Sequence, residues 1–217
     1  MAVETSQTLD RGLRVLAVLA QTQGGLTVTE LAAALGVNRT VVYRLVATLE
    51  GHALVRRDGR GRLHIGLGIL QLASGVQPEL RDQAVPVLRG LAEATGSTAH
   101  LSVADGDEAL ALAVVEPSWT DFHVSYRVGA RHALSQGAAG KAILLGRELG
   151  GRAPVGPTYS VTKGELQSGA QGLAAPVIGV EGLGASVGVV TLGSAIDEDT
   201  VAPLVCAAAA EIASRLR

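Results

Sequence analysis

The chain has 217 residues, of which 47% are hydrophobic, 18% charged and 2% aromatic, and its formal net charge is −2. This composition predicts a globular protein of two modest domains, and no stretch approaches the roughly 18 uncharged apolar residues that a membrane span requires. The single cysteine, Cys206, excludes an intramolecular disulfide, and the N-terminus lacks the apolar core of a signal peptide. We therefore expect a cytoplasmic protein that does not contact membranes.

The charge is distributed unevenly along the chain. Residues 1–66 contain eight arginines against five acidic residues, whereas residues 67–217 contain ten basic and fifteen acidic residues. Within residues 39–62, six arginines are accompanied only by Glu50 and Asp58. This basic excess suggests an anionic partner for the N-terminal segment, although an ordinary solvated surface would give the same pattern.

Two helices are predicted at the start of the chain. Residues 8–21 carry apolar side chains at largely helical spacing and are followed by a Gly-Gly pair, which indicates the first helix. Thr27 and Glu30 then match a capping box, in which each side chain binds the backbone amide of the other residue. The second helix therefore begins at or near Thr27, and it ends at Gly36, a residue that readily adopts the left-handed conformation of a helix terminus.

A third helix follows after a turn of only one or two residues, with Asn38 as a favourable N-cap. At about 100° per residue, this helix has one apolar side and one polar side. The apolar side consists of Val42, Leu45, Val46 and Leu49. The opposite side consists of Thr40, Tyr43, Arg44 and Ala47. This pattern predicts a helix that packs on one side and offers the other side to a partner.

Short apolar segments on either side of the turn signal at Asp58 and Gly59 predict a small hairpin after the third helix. Helix, tight turn, helix and hairpin form a winged helix-turn-helix module, whose outer helix face enters the major groove of DNA. The candidate contacts to bases and phosphates are Thr29, Asn38, Arg39, Thr40, Tyr43, Arg44, Arg57, Arg60 and Arg62. In the alternative interpretation, Tyr43 packs against a neighbour and the arginines only make the surface soluble.

The rest of the chain predicts a linker and a second domain. We expect a DNA-binding domain at residues 1–66, a linker helix at 67–77 and a second domain at 78–217, with Pro78 at the boundary. In that domain a helix at 79–95, kinked or broken at Pro86, precedes the first strands. The other predicted elements are strands at 98–104, 109–116, 122–128, 173–180 and 183–192, a helix that begins near Gly137, a loop-like segment at 147–170 and a closing helix at 198–216. Their mixture predicts an α+β domain with a mainly antiparallel sheet.

The sequence resembles the IclR family of bacterial transcriptional regulators. The resemblance rests on the segments RGLRVLAVLA (11–20), LTVTELAAALGVNRTVVYRLVATLEGHALVRRDGRGRLHIG (26–66), LSQGAAGKAILL (134–145) and GLAAPV (172–177). It implies a GAF-like effector-binding domain, in which a small organic molecule lies between the sheet and the helix that begins in the Gly-Ala-x-Gly-Lys segment. The implied effector-binding residues are His123, Leu134, Gln136, Gly137, Ala138, Ala170 and Gly172.

The chemistry of this implied pocket leaves two alternatives open. Backbone amides around Gly137 and Ala138 at a helix N-terminus suit the carboxylate of a carboxylic or aromatic acid. Alternatively, the glycines only permit close packing of the helix on the sheet. Members of the family usually carry a longer segment, with an acidic loop that closes over the effector, where this chain has residues 147–170. The short segment therefore leaves three alternatives, in which the pocket is open, altered or lost.

These observations predict a ligand-responsive repressor that acts as a dimer or a dimer of dimers on a palindromic operator. A rival is a regulator whose sensor domain is vestigial or responds to proteins. A serine hydrolase using Ser186 is disfavoured, because its G-x-S-x-G pattern continues as a strand and not as a helix. His100, His123 and His132, with Asp121, are too scattered to indicate a metal site. We expect no catalytic residues, no metal and no cofactor.

Overall fold

The computed structural model describes residues 4–119, 126–152 and 154–217. The chain divides into two compact units, of which the first ends at Gln77 and the second begins at Pro78. The elements of the first unit are α1 (Gln7–Ala20), α2 (Val28–Leu35), α3 (Arg39–Gly51), β1 (Val55–Arg57), β2 (Leu63–Ile65) and α4 (Gly68–Ser74). No helix within the described ranges combines the length and apolar character needed to cross a membrane.

The α2–turn–α3 segment forms as predicted, because each of its ends carries the expected cap. The hydroxyl of Thr27 accepts a hydrogen bond from the Glu30 amide at 3.2 Å, and the Glu30 carboxylate accepts one from the Thr27 amide at 2.7 Å. Gly36 ends α2 in the left-handed conformation with φ of 66°. The Asn38 side chain accepts a hydrogen bond from the Val41 amide at 2.9 Å and starts α3.

One face of α3 is buried in the core of the first unit, as the apolar pattern predicted. Val42, Leu45 and Val46 are buried, whereas the opposite side of the helix is exposed. The core is completed by α1, α2 and the hairpin, and its fully buried side chains include Val15, Leu31 and Leu63. Strands β1 and β2 are antiparallel, and a short bridge from Leu26 to Leu63 joins the start of α2 to the hairpin. This is a winged helix-turn-helix arrangement.

The second unit is a six-stranded antiparallel sheet between helices. Its strands lie in the order β5-β4-β3-β8-β7-β6, and every neighbouring pair is antiparallel. The elements are α5 (Pro78–Thr95), β3 (Thr98–Asp105), β4 (Glu108–Val115), β5 (Arg131–Ala133), α6 (Gly137–Leu149), β6 (Ser160–Lys163), β7 (Ala170–Val177), β8 (Ala185–Leu192) and α7 (Glu198–Arg215). The predicted α+β class with an antiparallel sheet is confirmed.

The sheet has two faces of different character. Alternate residues of β3, such as Leu101 and Val103, join the large apolar core that α5 and α7 cover. The residues between them, including His100 and Ser102, point to the opposite face, on which α6 packs. The α6 face is lined by small and polar side chains, so it is the face on which a cavity can form.

Three predictions for the second unit differ from the structure. Of the kink or break expected at Pro86, the break is absent, because α5 continues through this exposed proline and the Asp82 carbonyl that loses its helical partner belongs to an exposed residue. The segment 147–170 is not all loop, because β6 lies within it. Residues 126–128 form no strand, and the rest of the strand predicted at 122–128 lies outside the described residues.

We predict opposite effects for two alanine substitutions in the first unit, because both glycines have open space around the missing Cβ. Gly36→Ala should lower the free energy of unfolding by about 1 kcal/mol, because alanine is strained at positive φ. Gly51→Ala, in the last turn of α3, should raise it by about 0.5 kcal/mol through helix propensity. Urea unfolding followed by far-ultraviolet circular dichroism measures both. Equal effects at the two positions would contradict the assigned turn.

Candidate nucleic-acid interface and effector pocket

The outer face of α3 is exposed and basic. Arg39, Thr40, Tyr43 and Arg44 are all exposed, and 57% of Tyr43 is accessible to solvent. No salt bridge within the described residues involves Arg39 or Arg44. Their planar guanidinium groups are therefore available to the N7 and O6 atoms of guanine or to phosphate.

Two further predicted DNA contacts lie at the N-terminal ends of α2 and α3. Thr29 is exposed in the first turn of α2. Asn38 is also exposed, and its side-chain oxygen is committed to capping α3, so only its NH₂ group is left to donate to a partner. The structure thus places Thr29, Asn38 and the α3 residues on exposed surface of the helix-turn-helix.

The wing arginines, which the sequence treated alike, have different environments. The Arg62 guanidinium donates to the carbonyls of Gly24 at 2.9 Å and Gly25 at 2.8 Å, and it binds Glu30 at 3.1 Å. Arg57 pairs with Glu50 at 3.4 Å. No side-chain partner appears for the exposed Arg60 among the described residues. Arg60 is thus the wing arginine best placed for phosphate, whereas Arg62 fastens the wing to the loop before α2.

Arg56 was not among the predicted contacts, although the structure exposes it on β1. Strand alternation gives the signal, because Val55 beside it is buried in the core of the first unit. The sequence pattern of apolar Val55 followed by two arginines would have been enough to find it. Arg56 adds a further positive charge to the hairpin that carries Arg57 and Arg60.

The tip of the wing is held by a carboxylate. Asp58 accepts hydrogen bonds from the backbone amides of Arg60 and Arg62, each at 2.9 Å, and pairs with His64 at 3.0 Å. The hydrogen bond from His64, and then that from the Arg62 amide, lowers the pKa of Asp58 to about 2. The wing turn is therefore fixed before any ligand binds.

A cavity of about 130 Å³ lies on the α6 face of the sheet. It is bounded by the start of α6, by β3 and β7, and by the turn at residues 164–169, which joins β6 to β7. Its lining residues are His100, Tyr126, His132, Ala138, Ala139, Thr162, Glu165, Leu166, Gln167, Ala170, Gln171, Gly172 and Val190. Three of the seven predicted effector residues are among those that line this cavity.

The predicted effector residues divide into three groups. Ala138, Ala170 and Gly172 line the cavity, and Gly137 lies at its edge in the first turn of α6. Leu134 is buried with Ala109 and Ile143 beneath α6, and Gln136 is the exposed N-cap of α6, so neither lines the cavity. His123 lies outside the described residues.

The inner wall of the cavity is polar and neutral. His100 is only 3% exposed, and burial, with a smaller effect of His132, lowers its pKa to about 4. Its ring lies 4.9 Å from the Tyr126 ring between centroids, and burial raises the pKa of Tyr126. The Nε2 atom of His132 is buried without a hydrogen-bond partner. His100 and Tyr126 can therefore donate to or accept from a ligand without adding net charge.

The charged part of the cavity is at the N-terminus of α6. The Glu165 carboxylate accepts a hydrogen bond from the Gly137 amide at 3.0 Å and pairs with the Lys141 ammonium at 2.5 Å. Both contacts, that with Lys141 first, lower the pKa of Glu165. The amide predicted to bind an effector carboxylate therefore binds a carboxylate of the chain itself. Because the sequence analysis treated residues 147–170 as loop-like, it did not identify Glu165 as a residue of the cavity.

The two alternatives for the glycines of α6 both find support. The Gly137 amide binds an anion, as described. A Cβ on Gly140 would lie 2.6 Å from the carbonyl oxygen of Leu134, and one on Gly172 would lie 3.3 Å from the Cβ of Ala138. A Cβ cannot be accommodated at a distance as short as that at Gly140, so this glycine allows α6 to pack closely. Gly137 provides the backbone amide that binds the carboxylate.

The environment of Ser186 excludes the hydrolase alternative. Ser186 is fully buried within β8, and its hydroxyl donates to the carbonyl oxygen of Ala139 at 3.0 Å. A nucleophile would need an exposed position at a strand-to-helix turn. In the described residues no three histidine, cysteine or acidic side chains cluster in a way that could hold a metal ion.

A larger cavity, of about 400 Å³, lies at the other end of α6. It is bordered by Gly146 and Arg147 of α6 and by the turn between β7 and β8. Glycine and aliphatic residues make up almost all of its lining, and none of the predicted effector residues is among them. Size alone does not make it the better ligand site, because specific recognition needs several convergent polar side chains.

Both units match models of one protein family. Residues 8–59 match the IclR helix-turn-helix domain, and residues 74–148 match the C-terminal domain of the bacterial transcriptional regulator IclR. The second match ends just where the short segment 147–170 begins.

Curated relatives match about two thirds of the chain. The HTH-type transcriptional regulator BhcR of Paracoccus denitrificans is 33% identical over 141 residues, which are 64% of this chain and 50% of that protein. The transcriptional repressor IclR of Escherichia coli is 30% identical over 142 residues, which are 64% of this chain and 52% of that protein. The chain therefore spans about half the length of the curated relatives it matches.

Solved structures share the fold over the whole chain. The IclR transcriptional regulator from Alicyclobacillus acidocaldarius has a TM-score of 0.77 at 23% identity, covering 99% of this chain and 100% of that one. An IclR homologue from Microbacterium hydrocarbonoxydans, complexed with 4-hydroxybenzoate, has a TM-score of 0.78 at 21% identity, covering 97% and 99%. At these identities the similarity shows the architecture alone.

The buried histidine of the cavity predicts a pH dependence of stability. The folded chain protonates His100 only near pH 4, whereas an unfolded chain does so near pH 6.5. Its effect is absent above about pH 6.5, and stability is lost as the pH falls from there toward 4, by about 2 kcal/mol between pH 7 and pH 5. His100→Gln should reduce this loss, which urea unfolding at the two pH values measures. An equal loss in wild type and variant would contradict the burial of a neutral histidine.

Proposed function

Because this chain belongs to the IclR family of bacterial transcriptional regulators, we propose that it is a ligand-responsive repressor that reads an operator with α3. The observation that carries the proposal is the exposed basic face of α3, fixed by two capped helix ends and a buried opposite face. Its site of action is the cytoplasm, where bacterial DNA is found.

The dimensions of α3 suit a DNA groove. The helix has 13 residues and is about 20 Å long, and the major groove of B-DNA is about 12 Å wide. Arg39 and Arg44 lie on the exposed side within about two turns, so they can reach neighbouring base pairs. Tyr43 and Thr40 between them suit a phosphate or a thymine methyl group, and Arg60 of the wing suits the adjacent backbone. The operator is therefore read mainly by residues 39–44.

Two copies of the chain would read the two halves of a palindromic operator. Exposed apolar residues in the first unit support such an assembly: Leu67, Leu70 and Leu72, at the start of α4 and within it, are 76%, 67% and 63% exposed. Leu9 and Leu13 of α1 are exposed as well. Apolar side chains in this number are costly to leave in water, and a second copy would cover them. The assembly is a dimer or a dimer of dimers.

The 130 Å³ cavity is the proposed effector site. Its anion position at Gly137 and Lys141 suits a carboxylate, and its neutral wall around His100 and Tyr126 suits an aromatic or small polar body. The 4-hydroxybenzoate complex of the Microbacterium homologue supports an aromatic acid as the ligand class. Effector binding would alter operator affinity by changing the relative placement of two DNA-binding units through α4, which requires different ligand affinity in the two arrangements.

The rival function is a repressor whose sensor unit responds to a protein partner. The small volume of the cavity favours this rival, since most ligand pockets have about 300 Å³ or more. Titration of the operator with and without saturating aromatic acid separates the two, because an unchanged operator affinity would favour the rival.

We predict that arginine substitutions on α3 weaken operator binding selectively. Fragments selected from genomic DNA supply the operator, and fluorescence anisotropy measures its affinity. Arg39→Ala and Arg44→Ala should each weaken binding about 10- to 100-fold and reduce the preference over random DNA, because base contacts are lost. Arg89→Ala, an exposed arginine of α5, is the matched control and should change the affinity less than twofold. Unaltered binding by both α3 variants would refute the proposed interface.

We also predict that one charge on α4 disrupts the assembly. Leu70→Glu places a carboxylate in the exposed apolar patch and should raise the dimer dissociation constant at least tenfold, measured by sedimentation equilibrium. Gln23→Glu introduces a carboxylate at an exposed position of the first unit outside α4, so it is the matched control and should have little effect. A dimer of undiminished affinity in Leu70→Glu would show that this patch is not the interface.

A further inference from the structure

The anion position of the effector cavity is already filled by the chain. The Gly137 amide and the Lys141 ammonium, the two groups there that favour a carboxylate, both bind Glu165. We propose that Glu165 is a tethered competitor of the effector, so that a carboxylate ligand binds by displacing it and releasing the 164–169 turn from α6. This proposal rests on the proposed effector site, and it explains how that site would select carboxylate ligands over neutral ones.

The 164–169 turn is constructed to hold Glu165 over α6. The Gly164 amide donates to the carbonyl of Ala170 at 2.7 Å, which closes the hairpin between β6 and β7. Leu166 follows Glu165 and lies against Gly137, since a Cβ on that glycine would come within 2.6 Å of the leucine Cδ1. Two neighbouring side chains therefore cover the first turn of α6, one by charge and one by apolar contact.

The 164–169 turn can move away from α6 without disrupting the hydrophobic core. Glu165 and Leu166 are both exposed in part, and residues 163–169 contribute no buried side chain. The contacts between the turn and α6 that would be lost are the Glu165 hydrogen bonds and the Leu166 contact with Gly137. Opening would uncover the cavity and add the volume of two side chains to its 130 Å³. The closed state is thus small because the turn is in place.

The rest of the lining explains why the competition is specific to anions. Among the described side chains that line the cavity, Glu165 is the only acidic one and none is a lysine or an arginine, and burial keeps His100 neutral. A ligand carboxylate therefore has one favourable position, next to Gly137 and Lys141, and it meets Glu165 there. A neutral ligand of the same shape can bind the polar wall while Glu165 stays in place. Removing the Glu165 charge should consequently help the anion and not the neutral molecule.

The test is calorimetric titration of the full chain with benzoate and with its neutral isostere benzamide. Glu165→Gln should bind benzoate about tenfold more tightly than wild type, since the apparent affinity is the intrinsic affinity multiplied by the fraction of molecules in which the turn is open. Benzamide affinity should change less than twofold. Glu148→Gln removes a carboxylate at an exposed position near the C-terminal end of α6, so it is the matched control and should behave as wild type. Glu165→Ala, which removes the acceptor, should reproduce the benzoate gain.

Benzoate affinity that is unchanged or weaker in both Glu165 variants would overturn the proposal, and so would an equal gain for benzamide. Failure of the proposed function is a separate outcome, because it is measured on the operator. If Glu165→Gln binds benzoate more tightly while operator affinity does not respond to benzoate, the competitor role stands and the effector response fails.

Discussion

Burial of one side of α3 is the constraint on which the proposed activity depends. Val42, Leu45 and Val46 pack into the core with α1, α2 and the hairpin, and this fixes the direction in which the opposite side chains project. The capping of both helices and the left-handed turn at Gly36 set the angle between α2 and α3. Burial of the valines thereby fixes where Tyr43 and Arg44 project, because they lie on the other side of the helix, and Arg39 is exposed in the first turn.

In the proposed function, the second unit applies a related principle to a small molecule. Glycine and alanine residues bring α6 close to the sheet, and its first amide is then presented at the edge of a neutral polar cavity. A helix N-terminus in this setting favours an anion, whichever molecule supplies it. Because Glu165 of the chain supplies it in the closed state, the same two donors define both the resting conformation and the ligand that can disturb it.

Local patterns made much of this fold predictable. The capping box at Thr27, the turn at Gly36 and the N-cap at Asn38 act over three or four residues, so single-sequence signals were sufficient. Two of the misses involve partners far apart in the chain. Strand β6 has only four residues and is defined by pairing with β7, and Arg62 bonds carbonyls 37 and 38 positions away. The continuity of α5 through a proline depended on exposure, which the pattern of that helix did not reveal.

The most direct measurement is a titration in which each guanine of the operator is replaced in turn by 7-deazaguanine, which lacks the N7 acceptor of an arginine contact. If α3 lies in the major groove as described, one replacement in each half-site should weaken wild-type binding about tenfold. The same replacement should have no effect on the variant that lacks the arginine involved, Arg39→Ala or Arg44→Ala. Equal losses in wild type and in both variants would contradict base reading by α3.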